Sequence, residues 1–229
     1  MVDTMILPDL RERRLGWRYL LFQIAFLSWV IGRLLYFLQI PASGVGINLL
    51  YFSANFAVAI FGFLGFWKKT LSGLVPRIPR ILLFALAGFV AFRILSLAMG
   101  LLILSIDPEF ANVNDQSILA LSREDFGLMA IGTVILVPVA EEVFNRGCVF
   151  GGLLGRNPVV AYAVSAVIFS IIHINGYIGS VPPLTLFLCF LQYLPAGLCL
   201  AAAYQLSGSI LTPILIHSAV NAIGILTMR

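Results

Sequence analysis

Charge is what this chain has least of. Asp, Glu, Lys and Arg together make up 10% of its 229 residues, hydrophobic residues make up 61%, and the mean hydropathy is +1.04. A water-facing surface needs roughly 25% charged residues, so most of the exterior must face lipid. Cysteine is also scarce. Cys148, Cys189 and Cys199 all lie in apolar stretches, and an odd number without paired spacing gives neither a disulfide framework nor a zinc motif. They read as small buried or lipid-facing residues. A secreted disulfide scaffold, a nucleic-acid binder and a disordered chain are excluded.

Long apolar runs are what the chain has in abundance. A bilayer core takes about 20 apolar residues as a helix, and seven stretches qualify: 20–40, 44–67, 81–106, 127–154, 158–176, 184–204 and 209–228. The expected fold is an all-α membrane protein, a polytopic bundle of about seven transmembrane helices. Residues 1–19 read as a cytoplasmic segment, 20–125 as N-terminal helices with an outer loop, and 126–229 as a catalytic core. The first apolar run is too long for a removable signal peptide and reads as a retained anchor.

Basic residues set the orientation. Arg11, Arg13, Arg14, Arg18, Lys68, Lys69, Arg77, Arg80 and Arg156 fall on one side, and Arg123 and Arg229 on the other. The richer side, with the N-terminus, is expected in the cytoplasm, most simply of a bacterium. The net charge of +4 is thus a topology signal and not a nucleic-acid site. The polar loop 107–125 reads as a solvated connector.

Polar groups inside a bilayer are costly and mark function. Arg33 and Arg93 read as snorkelling or carbonyl-bonded arginines. The fourth, fifth and seventh spans differ, because they hold Glu141, Glu142, Arg146, Phe169, His173, His217 and Asn221. Both histidines of the chain and both intramembrane carboxylates are among them. Glu142 and Arg146 stand four apart with the acid first, the favourable order for a helical ion pair. Phe169 and His173, and likewise His217 and Asn221, share helix faces at the same spacing. Glu141 is rotated about 100° from Glu142 and is expected to share a face with Asn145. Counted inward from the cytoplasmic ends, Glu141, His173, His217 and Asn221 lie about 20, 23, 12 and 18 Å deep, which is compatible with one layer. Pro138 is expected to free a backbone carbonyl near this layer. Gly147, Gly151 and Gly155, spaced by four, are expected to let helices approach closely.

Glu141 and His173 together can activate water. His217 and Asn221 can offer hydrogen bonds to one developing oxyanion. That set makes an amide hydrolase without a serine or cysteine nucleophile. The same carboxylate and two histidines could instead hold zinc, and a non-proteolytic scaffold held by a polar network remains a third reading. A transporter would need polar residues along a path, not in one layer.

The three segments resemble the signature of the CAAX proteases and bacteriocin-processing enzymes, also called the abortive-infection membrane proteins. The pattern Glu-Glu-x-x-x-Arg, Phe-x-x-x-His, His-x-x-x-Asn is present in order as Glu141-Glu142…Arg146, Phe169…His173 and His217…Asn221. The resemblance covers roughly 126–221. It implies an intramembrane glutamic endopeptidase that needs no cofactor. Glu141 and His173 would activate water, His217 and Asn221 would stabilise the oxyanion, Glu142 and Arg146 would pair, and Phe169 would line the pocket. The implied partner is a membrane-associated or lipidated peptide, prenylated or bacteriocin-like.

Overall fold

A computed structural model describes residues 5–40 and 43–227. Met1–Thr4, Met228 and Arg229 lie outside it, including the end of the seventh predicted span and the last outer-side cation. Nine helices and no strand occur among the described residues. We label them α1 (Leu10–Phe37), α2 (Gly44–Phe61), α3 (Leu64–Leu71), α4 (Val75–Ile106), α5 (Val113–Glu124), α6 (Phe126–Leu154), α7 (Pro158–Tyr177), α8 (Pro183–Ser207) and α9 (Leu211–Thr227). Six of them (α1, α2, α4, α6, α7 and α8) are long and apolar enough to cross a membrane, and α9 is a shorter apolar helix. The protein is an all-α polytopic membrane protein.

Local chemistry sets most boundaries. Asp9 and Glu12 form a capping box, which satisfies backbone donors at both ends of the first turn. The helix of the first span therefore starts at Leu10, well before the apolar run expected from Leu20. Glu12 is buried and also accepts from Phe66 N at 2.9 Å, tying α1 to α3. Ser43, Asn112, Asp125 and Asn157 cap α2, α5, α6 and α7 through their side-chain oxygens. Gly208, at φ 76°, ends α8 in the left-handed region, where glycine carries no Cβ penalty. The expected span 44–67 is split at Gly62–Phe63 into α2 and α3.

α6 runs through the middle of the bundle, with every residue from Val143 to Phe150 buried. Half of the apolar window of α8 is buried, against 6% of that of α4, so α4 presents most of its surface outward. α7 and α8 approach backbone to backbone. A Cβ on Gly197 would stand 2.6 Å from Ala166 Cα, closer than any real side chain tolerates. The glycines of α6 behave differently from the expectation. Gly151 and Gly147 face Leu7 and Pro8 of the N-terminal segment, and Gly155 faces open space. Only a backbone trace could show this, because sequence spacing does not say what lies opposite.

α6 is not uniformly α-helical. Two π stretches, Gly132–Leu136 and Val143–Phe150, flank the ordinary turn Val137–Glu142 that carries both carboxylates. Such widened turns shift the register of the faces and recur at functional sites.

Candidate active site

The neighbouring carboxylates Glu141 and Glu142 point to different surroundings. Glu142 is fully buried, with Oε1 3.1 Å from Arg146 Nη1 and 2.8 Å from His217 Nδ1. Arg146 is equally buried. Its other terminal nitrogen donates to the carbonyls of Ala196 and Gly197 on α8 at 3.3 and 3.4 Å, and its guanidinium lies 4.3 Å from the centre of the Phe169 ring. One cation thus joins α6, α7 and α8. The four-residue spacing of Glu142 and Arg146 does produce the expected pair.

Glu141 faces a cavity of about 650 Å³. Its Oε2 lies 3.8 Å from His173 Nε2, and the two side chains are 16% and 14% exposed. His173 Nδ1 is 2.8 Å from the carbonyl of Phe169. A carbonyl only accepts, so Nδ1 carries the proton, and in the neutral ring Nε2 is left as an acceptor. Two acceptors therefore look at each other across a gap too long for a hydrogen bond. A water bridging them would donate one proton to each. Oε2 of Glu141 has no other partner.

Asn221 lines the same cavity, but one of its amide hydrogens is committed to Thr133 O, at 2.8 Å. In the π stretch Val137 N bonds to Gly132 O, so the next donor in that register would be Pro138 N, which has no hydrogen. The carbonyl that Pro138 frees is that of Thr133, and Asn221 takes it. The second amide hydrogen of Asn221 remains available. His217 also lines the cavity, with its ring 5.8 Å from that of Phe169. All four residues expected to act in chemistry, and Phe169 with them, border one space.

One expectation fails. Asn145 does not share the face of Glu141. It is buried, and its Oδ1 accepts from Ser165 Oγ at 2.6 Å. The π register beginning at Val143 separates the two, where a regular helix would have aligned them. All three cysteines are free and buried, and a Cβ on Gly16 would meet Cys148 Sγ, so that thiol is packing between α1 and α6.

Several cavity residues escaped sequence reasoning. α5 occupies the supposed connector and places Asn114 and Asp115 on the cavity wall. Asn112 Nδ2 donates to Gln192 Oε1 at 2.9 Å, and Asn114 Nδ2 to Tyr193 Oη at 3.1 Å. Tyr193 in turn stacks on His173, with ring centres 4.2 Å apart and planes 27° apart. Burial raises the carboxyl of Asp115 above the usual aspartate range, and His173 and the Tyr193 hydroxyl offset part of that. From the first two spans come Gln23, whose Nε2 donates to Tyr51 Oη at 2.9 Å, and Asn55. Their amides were visible as uncharged polar residues within apolar runs, a signal that counting charges alone passes over. Arg93 also lies on the wall.

Among the described residues no group of three His, Cys, Asp or Glu side chains is placed to hold a metal ion. His217 Nδ1 and His173 Nδ1 are each committed to a protein oxygen.

Residues 123–223 match the family model described as type II CAAX prenyl endopeptidase, Rce1-like. The match spans α6 to α9 and contains every residue of the three motifs. No curated protein matches the chain. No solved structure matches it either.

Proposed function

We propose, from the match of residues 123–223 to the Rce1-like family model of CAAX prenyl endopeptidases, that the chain is an intramembrane glutamic endopeptidase. It hydrolyses a peptide bond of a membrane-associated, lipidated or bacteriocin-like substrate with water activated by Glu141 and His173. The observation that carries this reading is the 3.8 Å gap between Glu141 Oε2 and His173 Nε2, two acceptors on one cavity. Water in that gap gives up a proton as its oxygen attacks the scissile carbonyl carbon. The oxyanion that forms is met by the free Asn221 amide hydrogen and by His217. With Nδ1 held on Glu142 Oε1, Nε2 is the ring nitrogen of His217 left to meet the oxyanion. The proton held by Glu141 and His173 then passes to the leaving nitrogen as the C–N bond breaks. The products are a new carboxylate and a new amine.

Glu142, Arg146 and Phe169 act as a frame for this set. Residues 126–229 supply the chemistry, and 20–125 complete the cavity wall. The basic-residue bias supports a cytoplasmic N-terminus in a bacterial membrane, and the proposed reaction uses no cofactor. Purified protein in lipid nanodiscs, given a farnesylated Cys-containing tetrapeptide, tests the reading. Cleavage by the wild type, its persistence in chelator and its loss in a folded Glu141→Ala variant are expected. Chelator-sensitive cleavage transfers the reaction to zinc. A folded Glu141→Ala protein with undiminished cleavage overturns the glutamic mechanism.

A further inference from the structure

Arg93 stands near the middle of a transmembrane helix, on the wall of the catalytic cavity, with no charged partner among the described residues. The helical stretch Ile78–Ile106 places it about 20 Å along the axis from either end. It is exposed and lines the same space as Glu141, His173, His217 and Asn221. Among the described residues it has no ion pair, hydrogen bond or aromatic ring beneath it. Other arginines do have such partners. Arg146 is held by Glu142, Arg80 donates to the Leu206 carbonyl, and Arg33 lies over Trp29.

A cation at this depth is expensive unless it meets a cavity or an anion. Snorkelling does not solve the problem. Half of a hydrocarbon core is about 15 Å, more than an arginine side chain can span, so lipid phosphates are out of its ordinary reach. The acids on the cavity wall do not neutralise it either, since neither Glu141 nor Asp115 pairs with it. An anion delivered by the substrate would. The planar guanidinium fork fits a carboxylate with two parallel hydrogen bonds.

Resting on the protease reading, which already places the cut near a chain end, we infer that Arg93 is the residue that binds the free α-carboxylate of the substrate. A cavity of about 650 Å³ is of the size that holds a drug-sized ligand. With the chain end held at Arg93, the bond presented to Glu141 and His173 lies only a few residues away. A substrate amidated at its C-terminus, or cut in mid-chain, leaves the cation unpaired.

Binding separates this inference from the chemistry. Glu141→Gln protein in phosphatidylcholine nanodiscs is titrated with a farnesylated Cys-containing tetrapeptide, as the free acid and as the C-terminal amide. The acid is expected to bind about tenfold more tightly, the scale of one charged hydrogen-bonded contact. Adding Arg93→Gln removes that preference, and Arg93→Lys keeps part of it. No ion pair, hydrogen bond or ring contact holds Arg93 among the described residues, so unchanged gel filtration and thermal unfolding are expected for both. A preference that survives Arg93→Gln overturns the inference and leaves the protease reading standing. So does a preference abolished in the unsubstituted Glu141→Gln protein by phosphatidylglycerol nanodiscs, since Arg93 would then belong to a lipid headgroup. No saturable binding of either peptide overturns both the inference and the reading beneath it.

Discussion

Glu142 and Arg146 form an ion pair at 3.1 Å with neither side chain exposed to solvent. A buried pair adds little net stability over a well-packed apolar pair, but breaking it strands a charge. Here Glu142 would keep only His217, and Arg146 would keep only the two α8 carbonyls and the Phe169 face. Arg146→Met is therefore expected to cost about 3–5 kcal/mol, measured by reversible unfolding in mixed micelles. Because the carboxylate is then no longer a buried orphan, the double variant Glu142→Leu/Arg146→Met should cost less than the sum of the single ones. Additive losses would mean that the two residues act independently.

Close packing of α7 and α8 rests on Gly197. A Cβ there would lie 2.6 Å from Ala166 Cα and 2.8 Å from its Cβ, and backbone cannot yield as a flexible side chain can. Gly197→Ala should destabilise by about 1–3 kcal/mol, the usual cost of overpacking. Gly155→Ala is the matched control. No atom lies within 4 Å of its added Cβ and the backbone there is right-handed, so no loss is expected. Equal melting temperatures for the two variants would sink the argument.

The spans and the three motifs were legible because each depends on local spacing. Apolar length marked the seven helical regions, although α1 begins ten residues before the expected run and the second run is split at Gly62–Phe63. The i, i+4 spacing correctly paired Glu142 with Arg146. What sequence could not supply were facts set by partners on other helices. His217 binds Glu142 through a contact between α9 and α6. Asn145 turns away from Glu141 because the helix widens at Val143, and nothing in the side chains announces a π register. Residues 107–125 read as a solvated connector because they are polar, but polarity serves a buried cavity as well as water. Asn112, the α5 N-cap, was open to a helix reading, since asparagine before a modestly apolar segment is a start signal.

Tyr193 stacks on His173 and is held by Asn112 and Asn114. Its hydroxyl is engaged by Asn112 and Asn114, so it positions His173 and takes no proton itself. Tyr193→Leu should lower kcat by about ten- to a hundredfold, the scale of a small misplacement of a reacting group, with KM nearly unchanged. Tyr193→Phe keeps the stack and should restore most of kcat. A purely structural role would instead lower the melting temperature and move both constants together.

Asp115 offers a test of stability against pH. It lies on α5, outside the transmembrane spans, facing His173 from α7 and Tyr193 and Cys189 from α8. Its folded-state pKa is raised, chiefly by burial. An unfolded chain holds the same carboxyl near about 3.9. A raised pKa means that the folded protein binds this proton more tightly. The stability it contributes is fully present below the unfolded value and lost as pH rises through the folded one. Asp115→Asn removes the pH-dependent cost of burying this carboxyl while keeping an oxygen and adding donors. The variant should melt higher than the wild type at pH 7, and its advantage should vanish below about pH 4. Thermal unfolding across that range, followed by tryptophan fluorescence, checks both halves. A variant that melts lower at pH 7 would show that the charge of Asp115 is stabilising, through His173, and that burial is not the dominant effect.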